Sequence, residues 1–145
     1  LTDTYDERMT LVSFLDTDCP HCWDEGATLS NLHSTYNNDV QFITIAVQLS
    51  ISGHDSSRDE IEAFRDKTNY EGCYSGSQNC VDRPGSAHSW TYIDDIDLSI
   101  AKEWEVPGTP FSIILDSNGE VVWNQAQTDN HPNEDVEQAL ARLVG

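Results

Sequence analysis

Four cysteines stand in two local pairs, Cys19 and Cys22 in "DCPHC" and Cys73 and Cys80 in "CYSGSQNC". Two thiols with two residues between them can form half of a metal site, staple a loop, or shuttle between dithiol and disulfide. Exchange requires a thiolate, so the surroundings of the first sulfur decide. Pro20 suits the first position of a helix, where its missing N–H removes no hydrogen bond. A helix starting there puts Cys19 at the positive end of the dipole, beside unpaired N–H groups that favour a thiolate. His21, when protonated, adds a nearby positive charge. Cys22, one turn further in, is expected to be shielded and to resolve the mixed disulfide that Cys19 forms. A zinc site would need Cys73 and Cys80 as its other ligands, and CxxC joined to Cx6C is not a usual zinc spacing. No metal and no cofactor are expected.

The elements that must position these thiols are legible from periodicity. "MTLVSFL" (Met9 to Leu15) and "VQFITIAV" (Val40 to Val47) are short apolar, β-branched runs, and Leu29, Leu32 and Tyr36 follow helical spacing between them. That is a βαβ unit, and the CxxC lies where its strand becomes a helix. "RDEIEAFRDK" (Arg58 to Lys67) predicts a second helix, with acids in its first turn and Lys67 in its last. Residues 69–89 are rich in Gly, Ser, Asn and Cys without periodicity, which predicts a loop-rich insertion. A strand signal returns at "WTYI", a short Asp-capped helix is expected over "DLSIAKEW" (Asp97 to Trp104), and "VPGTP" precedes the strand "FSIIL" (Phe111 to Leu115). "DSNG" then turns that strand into "EVVW" as a hairpin at Asn118-Gly119. Val136, Ala139, Leu140 and Leu143 trace one face of a terminal helix expected to begin after Asn133. A chain of 145 residues in this order reads as one domain, residues 1–145.

CPHC after the first strand, "VPGTP" before the penultimate one and the "FSIILDSNGEVVW" hairpin together resemble the thioredoxin superfamily, above all its extracytoplasmic thiol-disulfide oxidoreductases of the TlpA/ResA type. The resemblance spans most of the chain. It implies a thioredoxin-like α/β/α sandwich with a mixed central sheet and a cysteine-containing insertion. It also implies a cis bond at Thr109-Pro110, packed beside the dithiol. Its partners would be protein thiols and disulfides together with a redox partner protein, met outside the cytoplasm by a monomer. A removed leader or membrane anchor stays compatible with a chain that opens on Leu1 and carries no membrane-length apolar run. CPHC is the arrangement of the bacterial periplasmic thiol oxidase, whereas the rest of the chain is more similar to reductases serving cytochrome maturation.

Two departures from that pattern stand out. Ser13 occupies the place, six residues before the first cysteine, where relatives often carry a buried acid that accepts the proton of the resolving thiol; Asp16 and Glu25 are the possible substitutes. Asp18 replaces the tryptophan that thioredoxins carry before the first cysteine, and its charge is expected to oppose thiolate formation and to alter the substrate-facing surface. Two other activities on related folds compete with disulfide exchange. A copper carrier of the same fold would show CxxxC with a distal His, and a peroxiredoxin-like peroxidase would show Thr-x-x-Cys, whereas Thr17 stands only two residues before Cys19. His33, His54, His88 and His131 are scattered and read as surface or capping residues.

Cys73 and Cys80 are close enough to form a structural disulfide, and Gly76 lets the chain bend between them. Seven Lys and Arg against 26 Asp and Glu give a formal charge of -19, which disfavours binding of nucleic acid. Self-repulsion on that scale predicts a fold whose stability rises with salt.

Overall fold

The computed structural model describes residues 8–49, 53–54, 56–126 and 134–145. Its five strands are β1 (Met9–Leu15), β2 (Val40–Val47), β3 (Thr91–Asp95), β4 (Phe111–Leu115) and β5 (Val121–Asn124). They form one sheet in the order β3-β2-β1-β4-β5. β1 runs parallel to β2, and β2 to β3, while β4 is antiparallel to both β1 and β5. The central strand is therefore β1, whose carboxyl end feeds the cysteine motif.

Alternation along β1 gives the sheet two buried faces. Leu11 and Leu15 join a core with Leu29 and Leu32 of helix α1 (Pro20–Tyr36), Phe64 of α2 (Arg58–Asp66) and Leu140 of α5 (Val136–Val144). Val12 and Phe14 point the other way, toward Ile43, Ile45 and Ile113, a core closed by Ile100 and Trp104 at α4 (Ser99–Glu103). A strand buried on both faces cannot alternate apolar with polar, which explains the nearly continuous hydrophobic run of its sequence. The layers are helix, sheet and helix, as expected.

Helix ends follow local chemistry. Ser57 accepts from the Glu60 N–H to cap α2, and Asp135 with Gln138 forms a reciprocal capping box on α5. The last helix thus starts after Asp135; Asn133 lies outside the described residues. α4 also differs from expectation. Its cap position is Leu98 in the left-handed region, without a side-chain bond. Buried Asp95 receives the N–H groups of Ile100 and Ala101 at 3.0 and 2.9 Å, and Asp97 receives that of Ser99. The hairpin forms with Gly119 at φ 82°, a conformation suited to glycine, and Asp116 accepts from the N–H groups of Asn118 and Glu120.

The 69–89 insertion is more structured than its composition predicts. It contains a four-residue helix, α3 (Cys73–Gly76), and a 3-10 turn at Cys80–Asp82. Cys73 and Cys80 are bonded as a disulfide with Cα atoms 5.3 Å apart. Arg83 is fully buried, giving its guanidinium to the carbonyl oxygens of Phe64, Pro84 and Ser86 at 2.7, 2.8 and 2.9 Å while lying over the Phe64 ring. Arg83 also explains Gly26 of α1: a Cβ there would stand 2.6 Å from its Nη1. His88, expected at the surface, is buried, with Nε2 2.8 Å from the Gly26 carbonyl and Nδ1 2.6 Å from the Tyr92 hydroxyl. Burial holds its pKa down to about 3, so it is neutral.

Candidate active site

β1 delivers the chain into a tight turn, Asp16 to Asp18, and α1 starts immediately after it. Cys19 is the N-cap of α1 and Pro20 its first residue. The Cys22 N–H donates to Cys19 Sγ at 3.3 Å, so the helix supplies its unpaired donor directly to the sulfur. Cys19 and Cys22 are both free thiols and both buried, at 5% and 0% exposure.

The acidities of the two thiols diverge. The Cys22 thiol hydrogen-bonded to Cys19, helped by the backbone N–H groups of Cys22 and His21, lowers the Cys19 pKa from 9.0 to about 6 against the opposing effect of burial. Burial, and then the interaction with Cys19, pushes Cys22 strongly upward. His21 itself is exposed, and what it is seen to contribute to the Cys19 thiolate is its backbone N–H.

Thr109-Pro110 is cis, and Cys19 Sγ lies 3.5 Å from the Thr109 carbonyl. Residues separated by 90 positions are therefore neighbours. A shallow groove lined by Pro107, Thr109, Pro110, Phe111 and Gln125 runs beside them.

Ser13, where the resemblance leads one to expect an acid, is buried. Its hydroxyl pairs with that of Thr44 at 2.9 Å, and Trp90 Nε1 donates to the same Thr44 oxygen at 2.8 Å. These three polar groups satisfy one another without a carboxylate. Of the two substitutes weighed from sequence, Asp16 touches the dithiol through its backbone, which donates to Cys22 Sγ at 3.4 Å. Its carboxylate ties the turn down, accepting from the N–H groups of Asp18 and Leu49 at 2.9 and 2.8 Å. Burial raises the Asp16 pKa. Burial likewise raises Glu25, which hydrogen-bonds Thr28 on the α5 side of α1.

Asp18 does not present its charge to a substrate. It is 1% exposed and turned inward, with Oδ2 2.6 Å from His54 Nδ1 and 3.1 Å from Ser56 Oγ. His54 Nε2 lies 3.8 Å from Oε1 of the buried Glu60. The Thr17 hydroxyl donates to Glu60 Oε2 and lies 2.8 Å from Ser56 Oγ. Burial, reinforced by Asp18, raises Glu60 to about 7. Single donor atoms of Asp18, His54 and Glu60 all fall within 4.8 Å of one another, a grouping able to hold a metal ion. Sequence reading missed this cluster, because His54 looked like a surface residue and Glu60 like an acid serving a helix dipole. His131 lies outside the described residues.

The insertion reaches the same turn. Tyr74 N–H donates to the Thr17 carbonyl at 3.3 Å, and its ring meets Trp23 edge to face with centroids 5.4 Å apart.

No family model and no curated protein matches this chain. Solved structures do. A secreted Mycobacterium tuberculosis disulfide oxidoreductase homologous to E. coli DsbE superposes with a TM-score of 0.60 at 18% identity, over 96% of this chain and 81% of that one. A thioredoxin-like protein in its oxidized form gives 0.69 at 15% identity, over 99% and 82%. StoA from Bacillus subtilis gives 0.60 at 15%, over 85% and 76%. Likeness at these identities establishes the fold, a thioredoxin-like α/β sandwich. No described helix is long and apolar enough to cross a membrane.

Proposed function

We propose that this protein is a thiol-disulfide oxidoreductase that exchanges disulfides with protein cysteines through Cys19 and Cys22. The observation that carries the reading is the asymmetry of the pair: a helix N-terminus donates to Cys19, while burial keeps Cys22 protonated. The Cys19 thiolate attacks a substrate disulfide, forming a mixed disulfide and releasing one substrate thiolate. Cys22, once its proton is lost, attacks Cys19 Sγ, closing the Cys19-Cys22 disulfide and releasing the second substrate thiolate. Every electron stays on sulfur, and a redox partner protein returns the Cys19-Cys22 disulfide to the dithiol to close the cycle. In the reverse direction the same steps oxidise a substrate dithiol.

Pro20 and His21 set the helix start, and Thr109 and Pro110 form the substrate-facing wall. The groove beside Thr109 suits an extended peptide that adds main-chain hydrogen bonds at its edge, with a pocket for an adjacent side chain. Solved neighbours include a protein described as secreted, which together with the Cys73-Cys80 disulfide supports a setting outside the cytoplasm. A metal-carrier reading is disfavoured by CPHC spacing, and no feature of the site favours a peroxidase.

Insulin reduction combined with a glutathione redox titration of the Cys19-Cys22 pair tests the proposal. Turnover of disulfides is the expected result, and the measured potential sorts reductase from oxidase. A pair that neither reduces insulin nor equilibrates with glutathione sinks the reading.

A further inference from the structure

We propose that Asp18, His54 and Glu60 form a divalent-cation site beside the dithiol, with donors suited to a zinc-class ion. Three separate segments supply it: Asp18 from the turn after β1, His54 from the connection after β2, and Glu60 from the first turn of α2. One donor atom from each lies within 4.8 Å of the other two.

Charge and burial point to an ion here. The side chains of Asp18 and Glu60 are 1% exposed, and His54 reaches both, Nδ1 at 2.6 Å from Asp18 and Nε2 at 3.8 Å from Glu60. Asp16, a third buried carboxylate, touches the same Ser56 hydroxyl at 3.4 Å. The arginines of the described ion pairs face other acids: Arg58 meets Asp94, Arg65 meets Asp66 and Arg142 meets Glu134. Arg83 serves backbone carbonyls. Two buried carboxylates, Asp18 and Glu60, meet the His54 imidazole, and the buried Asp16 carboxylate adjoins them through Ser56. Carboxylates removed from water are costly unless opposite charge accompanies them. An imidazolium brings one positive charge, and a divalent ion brings two.

The donor chemistry fits. Imidazole nitrogen with carboxylate oxygen is a zinc-class set, with bonds of about 2.0–2.2 Å, which places tetrahedral donors about 3.4 Å apart. A single His54 nitrogen and one oxygen from each acid lie within 4.8 Å of one another, so modest side-chain rotation brings the three donors to that spacing. On binding, the ion takes the place of the proton between His54 and Asp18, and that proton leaves to solvent. The hydroxyls of Thr17 on Glu60 and of Ser56 on Asp18 orient the carboxylates as outer partners. His54, with 31% of its side chain exposed, provides the entrance and leaves room for a water at the fourth position.

The test uses chelator-stripped protein with Cys19 and Cys22 oxidised to their disulfide, so that no thiolate binds the probe. It is independent of whether the protein turns over disulfides. Calorimetric titration with zinc chloride in 1 M NaCl, which suppresses diffuse binding by surface acids, is expected to show one ion per chain. His54→Gln and Glu60→Gln should each weaken binding by about tenfold or more, while Glu120→Gln in the exposed hairpin should not. Circular dichroism checks that the variants are folded. Cobalt(II) on the wild-type protein gives a second readout that needs no variant: intense ligand-field bands mark a four- or five-coordinate site. Absence of zinc uptake, variants that bind like wild type, or only the weak bands of an octahedral, hydrated cobalt ion would each overturn the proposal.

Discussion

A backbone hydrogen bond, Tyr74 N–H to the Thr17 carbonyl, links the segments that carry the two cysteine pairs, yet the pairs are in different chemical states. Cys73 and Cys80 are bonded and wholly buried, and α3, which begins at Cys73, is four residues long and has no side-chain cap. Cys19 and Cys22 are free at the start of a seventeen-residue helix that donates to one sulfur and buries the other. Spacing alone separates the pairs poorly. What separates them is which backbone donors each sulfur meets, because a thiolate survives only where something stabilises its charge.

The largest expected effects come from removing sulfurs one pair at a time. Cys19→Ser is expected to lower insulin reduction by a factor on the order of a thousand or more, the scale of losing a covalent nucleophile. Cys22→Ser should instead trap mixed disulfides, visible as thiol-sensitive adducts on a non-reducing gel. The double variant Cys73→Ala/Cys80→Ala should keep most of the activity. If that double variant were as inactive as Cys19→Ser, the second pair would be a redox relay and not a structural bond.

Titration is expected to show a smaller difference between the thiols. With a chelator present and the pair reduced, alkylation by iodoacetamide should rise with pH around a midpoint near 6, the value to which Cys19 is lowered, and Cys22 should stay unreactive. An acid whose folded pKa is depressed stabilises the fold above its unfolded value and loses that contribution as pH falls through the folded one. Relative to Cys19→Ser, reduced protein should therefore gain stability from pH 6 toward pH 9. A midpoint near that of a free cysteine would mean that the helix start does not activate Cys19.

Loss of the Cys73-Cys80 bond is expected to cost about 2.5 kcal/mol in the chain-entropy account of so short a loop, read from urea unfolding of the double alanine variant. Stepwise reduction with thiol counting belongs to the same experiment: the Cys19-Cys22 bond should open first. Both bonds opening together would erase the distinction. The smallest effect is ionic. Melting temperature should climb by a few degrees from low to molar NaCl as screening relieves the charge of -19, and a flat curve would show that the charge is no burden on the fold.

Much of this was readable from the sequence because it is local. The βαβ unit announces itself by period, the CPHC and Thr-Pro motifs by residue type, and the hairpin by Asn118-Gly119. Arg83 was not readable, since a charged residue in a polar, aperiodic stretch is ordinarily exposed; its burial depends on carbonyls that only the folded insertion brings together. The neighbourhood of Asp18 was hidden for a related reason. His54 and Glu60 lie 36 and 42 positions after it, and no spacing rule links them. Ser13 is the instructive middle case: its departure from the acid was visible, but the reason, a hydroxyl pair with Thr44 across the β1-β2 register, required the sheet.

β5 forms one outer margin of the five-stranded sheet, and near the hairpin it shows Val121 and Val122 at 57% and 39% exposure. A margin of that kind is a template for pairing with another strand. Against it stands the colloidal barrier raised by like charge on every copy. Salt therefore acts in opposite senses on the single molecule and on the solution: it steadies the fold while thinning the barrier, with a screening length of about 3 Å at 1 M. The second virial coefficient should fall over the range in which melting temperature climbs, so the concentration at which copies begin to associate is lowest where each copy is most stable.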